Sequence, residues 1–191
     1  MARTKKEEIF RAFSHNSYLL KVSYVDIIQF IERFVKYRLY DGREALGLFE
    51  QSQWEILVTV YCIQFKSFLE KQKKLINDSV PQYKEASEIW SLHDLRKNTI
   101  ECKIIISLRN ALEHSAGNFT SLSYHLNKDF EQSDFPSPTI NFFEIDKMTA
   151  AEKEKVKEYF SGGERLIPLF ETSCRTFITT SEKIQEILLG R

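Results

Sequence analysis

Arg109, Asn110 and His114 are the residues whose types and spacing point most directly to chemistry, and that chemistry is the handling of phosphate. A guanidinium is a permanently charged fork that matches phosphate oxygens, and an imidazole exchanges protons near neutrality at its ordinary pKa. At about 100° per residue on a helix, Asn110 and His114 share one face, while Arg109 stands about 140° from His114, so the two flank one edge. A phosphodiester at that edge meets both. In such a site His114 moves a proton at the nucleophile or leaving oxygen and Arg109 stabilises charge on the phosphorane. Asn110 orients His114 or a phosphate oxygen. The set suffices in principle for metal-free RNA cleavage through the ribose 2′-hydroxyl. One imidazole does not readily act as both base and acid in one pass, so a two-fold dimer is expected to supply the second. A plainer arrangement uses the same residues: Arg109 pairs with Glu113 on a solvated face, and His114 caps a helix terminus.

These side chains close an apolar run, Ile104-Ile105-Ile106-Ser107-Leu108, whose pattern predicts a buried helix over residues 97–115, ended by Gly117-Asn118. Upstream, apolar residues recur at three and four positions over 17–40, predicting a long helix stopped near Asp41-Gly42. A second helix is predicted to start at Ser52, with Glu55 at capping-box spacing, and to end near Asn77. Its basic residues Lys66, Lys71, Lys73 and Lys74 gather toward the negative end, a solvated face that contacts RNA phosphates if it flanks the motif. Residues 77–84, with Pro81, read as a loop, followed by a short helical piece over 85–90. Helical period is lost over about 117–147, with β-leaning pieces at 119–124 and 139–143, so a ~30-residue irregular or β-hairpin insertion is expected there. Thr149 opens another helix through Phe160, with Glu152 at capping-box spacing. Ser161-Gly162-Gly163 breaks it, and a final helix covers 164–189, with Pro168 in its first turns. The fold class expected is all-α: one domain over 1–191, an up-and-down bundle of four to five major helices.

The chain has 191 residues, enough for one domain with a real core; its 6 Gly and 4 Pro are too few for a turn-rich β fold. Its 27 basic and 27 acidic side chains cancel, so binding nucleic acid needs a local patch or an oligomer that pools charge. Cys62, Cys102 and Cys174 are odd in number, far apart and in apolar surroundings, which predicts reduced core thiols in a cytoplasmic protein. Neither a signal-peptide core nor an apolar run long enough for a membrane span is present, and no membrane partner is expected.

The segment Ile105-Ile106-Ser107-Leu108-Arg109-Asn110-Ala111-Leu112-Glu113-His114 resembles the Arg-x4-6-His motif of the HEPN superfamily (higher eukaryotes and prokaryotes nucleotide-binding), including the polar residue directly after Arg. The match covers about residues 99–117. In one toxin subfamily a Tyr follows the His by two positions; Ala116 stands there in this chain. The resemblance implies a helical, homodimeric, metal-independent endoribonuclease of the kind found in toxin–antitoxin and antiviral-defence systems. RNA would be its substrate, an antitoxin protein a partner, and a 2′,3′-cyclic phosphate its product. Arg109 and His114 take the catalytic positions, Asn110 the supporting one, and no cofactor or metal is called for. Other members have lost catalysis, so a nucleotide-, RNA- or protein-binding helical module is the alternative.

The remaining polar residues read more simply. His93 and Asp94 are adjacent, point apart on regular structure and are expected to cap a helix. Arg11 and His15 are expected on the surface of a frayed N-terminus, and His125 in a loop. Tyr18, Tyr24, Phe30, Phe34, Trp54, Phe65 and Phe68 keep helical spacing and are expected in the core.

Overall fold

The computed structural model describes residues 5–41, 48–79, 85–114, 120–123, 137–140, 149–160 and 166–189. In chain order they form α1 (Lys5–Asp41), α2 (Leu48–Ser79), α3 (Ala86–Asn98), α4 (Ile100–His114), β1 (Thr120–Ser123), β2 (Ser137–Ile140), α5 (Ala150–Phe160) and α6 (Leu166–Leu189). The fold is an all-α bundle carrying a small hairpin.

Four helices form a closed ring in which α1 packs on α2, α2 on α4, α4 on α6 and α6 on α1. Neighbours run antiparallel. Phe30 stacks with Trp54 and Ser23 bonds Gln64, so residue numbers rise on α1 as they fall on α2. On the diagonal, α2 and α6 run in the same sense: Tyr61 meets Phe170 and Ser173, and Gln72 meets Ser181. Large rings bridge that diagonal. Tyr61 stands edge-on to Phe170 at 4.9 Å, and Phe177 lies 5.6 Å from Phe65 and 6.4 Å from Phe68. All of these rings are buried, and each stabilises the fold by about 1.5–3 kcal/mol through burial alone. The Tyr61 hydroxyl donates to the Phe170 carbonyl at 3.0 Å and lies 2.8 Å from Ser173 Oγ, so its one polar atom is satisfied. A second apolar cluster closes one end of the bundle, joining Ile9 and Phe13 of α1 to Ile76, Ile89, Ile184 and Leu188.

That second cluster explains why α1 starts earlier than the sequence suggests. Residues 5–16 are helical because Ile9 and Phe13 continue the apolar face into the bundle, leaving Arg11 and His15 exposed on an ordered helix. Helix α2 likewise begins at Leu48, so Ser52 lies inside it. Glu55 accepts a hydrogen bond from Gln51 Nε2 at 3.0 Å instead of reaching back to a cap. Residues 48–51 contain no breaker, and an established helix propagates through such a stretch at little cost. At the other end α2 continues to Ser79 with no basic residue in its last turn, so the lysines lie along its flank and do not cap its negative end.

The predicted helix over 97–115 is divided differently. Helix α3 extends to Asn98, Thr99 turns to an extended conformation (φ −63°, ψ 148°), and α4 begins at Ile100. The Thr99 carbonyl accepts from Lys103 N at 3.1 Å and its hydroxyl from Cys102 N at 3.4 Å, so Thr99 caps α4. The insertion contains the antiparallel hairpin β1–β2, with Thr120 opposite Ile140 and Ser123 opposite Ser137, set against α2 and α6. Its second strand begins two residues before the β-leaning piece and includes Pro138, which a two-stranded ribbon tolerates on its open edge. Thr149 directly precedes α5, and Pro168 is the third residue of α6, where no intrahelical N–H bond is lost. Gly42, the 80–84 loop, Gly117-Asn118, His125, the 161–163 break and the side chains of Phe34 and Glu152 lie outside the described residues.

Cys62, Cys102 and Cys174 are free and buried. Burial pushes the Cys62 thiol well up and the Cys174 thiol up to about 11, with the Lys21 charge only partly offsetting the latter. Protonated thiols in an apolar interior are poor nucleophiles. No helix among the described residues is long and apolar enough to cross a membrane.

Candidate functional site

The C-terminal half of α4 presents the motif. Cys102, Ile104, Ile105 and Leu108 are buried in the bundle, which fixes the helix rotation and leaves Arg109 and Asn110 half-buried beside α2. Asn110 Oδ1 accepts a hydrogen bond from Lys66 Nζ of α2 at 2.9 Å and another from Arg109 Nη1 at 3.2 Å. One neutral oxygen therefore holds two cations. The two nitrogens are no more than about 6 Å apart, a separation at which like unit charges repel by roughly 1–3 kcal/mol near a protein surface. The carboxamide offsets part of that repulsion. An anion placed between the two cations would offset more, so the arrangement has the chemistry of an anion seat.

The role of Asn110 thus differs from the simplest helical reading, since its oxygen is directed to Arg109 and Lys66. His114 is the last residue of α4, and its side chain, with that of Glu113, lies outside the described residues. The structure brings Arg109 and Asn110 together and adds Lys66, which the sequence placed only in a general basic patch. The missing signal was tertiary: Lys66 and Asn110 are 44 positions apart and meet because α2 and α4 are antiparallel neighbours.

No family model matches the chain, and no curated protein or solved structure does so significantly.

A groove of about 190 Å³ runs on from this seat between α2, α3 and α4, lined by Lys66, Leu69, Glu70, Lys73, His93, Lys97 and Ile106. His93, expected as a cap, sits inside α3 and is buried, with its ring edge-on to Trp90 at 5.8 Å. It is held there because α3 continues past residue 90 and turns that face onto the bundle. Sequence spacing contains a faint trace of this groove. Lys66 and Lys73 are seven apart on one helix, and His93 and Lys97 are four apart on another, so each pair shares a face. Among the described residues no group of three or more His, Cys, Asp or Glu is placed to hold a metal.

Two substitutions separate holding the cations from holding an anion. Asn110→Asp should raise stability by up to about 1 kcal/mol, a figure limited by partial exposure, because a carboxylate bonds both cations more strongly. It should weaken inorganic phosphate binding, measured by calorimetry, because the carboxylate cancels one of the two positive charges and occupies the space between them. Asn110→Leu should lower stability by about 1 kcal/mol, since the hydrogen bonds from Lys66 Nζ and Arg109 Nη1 to the carboxamide oxygen are lost. Equal phosphate affinity in wild type and Asn110→Asp would refute the anion seat.

Proposed function

We propose that the chain is a metal-independent endoribonuclease of the HEPN type, with Arg109, Asn110 and His114 at its catalytic centre. The observation that supports this is the pairing of Arg109 and Lys66 on the single Asn110 oxygen, one turn of helix before His114. The 2′-oxygen attacks phosphorus, the O2′–P bond forms and the P–O5′ bond breaks, leaving a 2′,3′-cyclic phosphate and a 5′-hydroxyl. His114 accepts the 2′ proton. The His114 of a second copy delivers a proton to the departing 5′-oxygen, and Arg109 and Lys66 hold the added charge on the non-bridging oxygens.

The reading requires a homodimer. Ile56, Val60 and Ile63, at i, i+4 and i+7 on α2, are exposed to 61, 40 and 39 %, and this stripe ends one turn from Lys66. A second copy seated there would cover an apolar face and double the local positive charge of a neutral chain. An antitoxin protein and a role in defence follow from the family resemblance alone.

Purified protein is expected to cleave single-stranded RNA in excess EDTA and to leave 2′,3′-cyclic ends, identified by mass spectrometry of the fragments. A strict requirement for added divalent metal, or 3′-hydroxyl products, would contradict the mechanism. A non-catalytic RNA- or nucleotide-binding module is favoured by one feature, the direction of the Asn110 oxygen toward cations. Intact RNA at high protein concentration, together with binding lost in Arg109→Ala, would select it.

A further inference from the structure

We propose that the α2–α3–α4 groove is a second phosphate-binding subsite, which carries the backbone of the single-stranded RNA away from the Arg109–Asn110–Lys66 seat. The inference rests on the reading of the chain as an RNA-acting protein and adds where the strand lies. Lys66 belongs both to the seat and to the groove lining, so the two are continuous. From Lys66 to Lys73 the groove follows α2 for about 10 Å at 1.5 Å per residue, a length on the scale of two successive phosphates of one strand.

Lys73 and Lys97 are exposed on opposite walls, with Leu69, Ile106 and the buried His93 between them. Glu70 also lines the groove, so three ammonium groups face one carboxylate and the positive sign prevails. At about 190 Å³ the groove is too small to enclose a drug-sized molecule. An apolar floor between ammonium walls fits a sugar–phosphate backbone, with charge at its edges and carbon on its inner side.

The test uses the full chain and a mixed-sequence single-stranded oligonucleotide that is fully 2′-O-methylated, so that binding is read without cleavage. Its affinity is measured by fluorescence anisotropy across a salt series. Lys73→Ala/Lys97→Ala should weaken binding roughly tenfold near 0.15 M salt and lower the log–log salt slope by about 1.4, from two single-strand phosphate contacts. Lys73→Arg/Lys97→Arg should restore both. Wild-type affinity and slope in the alanine double variant, with binding still lost in Arg109→Ala, would overturn the groove and leave the proposed function standing. Absence of wild-type binding would overturn both. Binding of a poly-glutamate peptide in place of the oligonucleotide would assign the groove to an acidic protein and refute the RNA path.

Discussion

His114→Ala is expected to lower RNA cleavage by about 10²–10⁴-fold, the usual contribution of a positioned general acid–base, with little change in stability. His114 is the last residue of α4, and the buried residues of that helix, Cys102, Ile104, Ile105 and Leu108, are unchanged in the variant. Single-turnover cleavage in EDTA reads the chemical step, and circular dichroism checks the fold. Arg109→Ala should cost about 10²–10³-fold, the scale of losing one group that stabilises transition-state charge. Mixing gives a sharper result. If two copies share one cleft, exchange of equal amounts of wild type and His114→Ala leaves about a quarter of the activity, since only wild-type pairs hold both imidazoles. Half the activity would indicate that each copy works alone, and an unchanged rate in His114→Ala would refute its catalytic role.

Phe177→Ala is expected to cost about 3–5 kcal/mol, a large part of the 5–15 kcal/mol by which typical domains are stable. Phe177 is fully buried and lies between the Phe65 and Phe68 rings on the opposite diagonal of the bundle. Urea denaturation should show a lower midpoint at unchanged slope. Leu95→Ala, at a site 61 % exposed on α3, should stay within about 0.5 kcal/mol and serves as the control. Equal midpoints for the two variants would show that the diagonal rings do not hold the bundle.

Much of the architecture was legible from residue pattern. The apolar period over 17–40, the run Ile104–Leu108 and the final helix each lie where a helix was expected, because burying one face imposes that period. The all-α class followed from the same spacing, as did the core placement of Trp54, Phe65, Phe68 and the three cysteines, whereas Tyr18, expected in the core on the same spacing, is 65 % exposed and Tyr24 and Phe30 are only partly buried. Helix ends were less legible. Ser52 had the residue types of a cap and does not act as one, because nothing upstream stops the helix. Thr99 acts as a cap although no Glu or Gln stands three residues on.

The candidate site divides in the same way. Arg109 and Asn110 were visible because adjacent polar residues at the end of an apolar helix must emerge together beside the core. Lys66 was not, since its pairing with Asn110 depends on which helices are neighbours. His93 was misread as a cap because local residue types favour caps, whereas its burial arises from the packing of α3 against α6, α4 and α2.

By itself the sequence determined the helical class, the apolar faces and the presence of an Arg-Asn-x-x-x-His set on α4, all of which are local properties with a period or spacing of a few residues. Only the tertiary structure decided that α2 lies beside α4 and that the Asn110 oxygen draws Lys66 toward Arg109. It also decided that lysines from two helices face each other across one groove. Those outcomes depend on helix neighbours and rotation, which are set by how large rings from distant segments fill a shared interior.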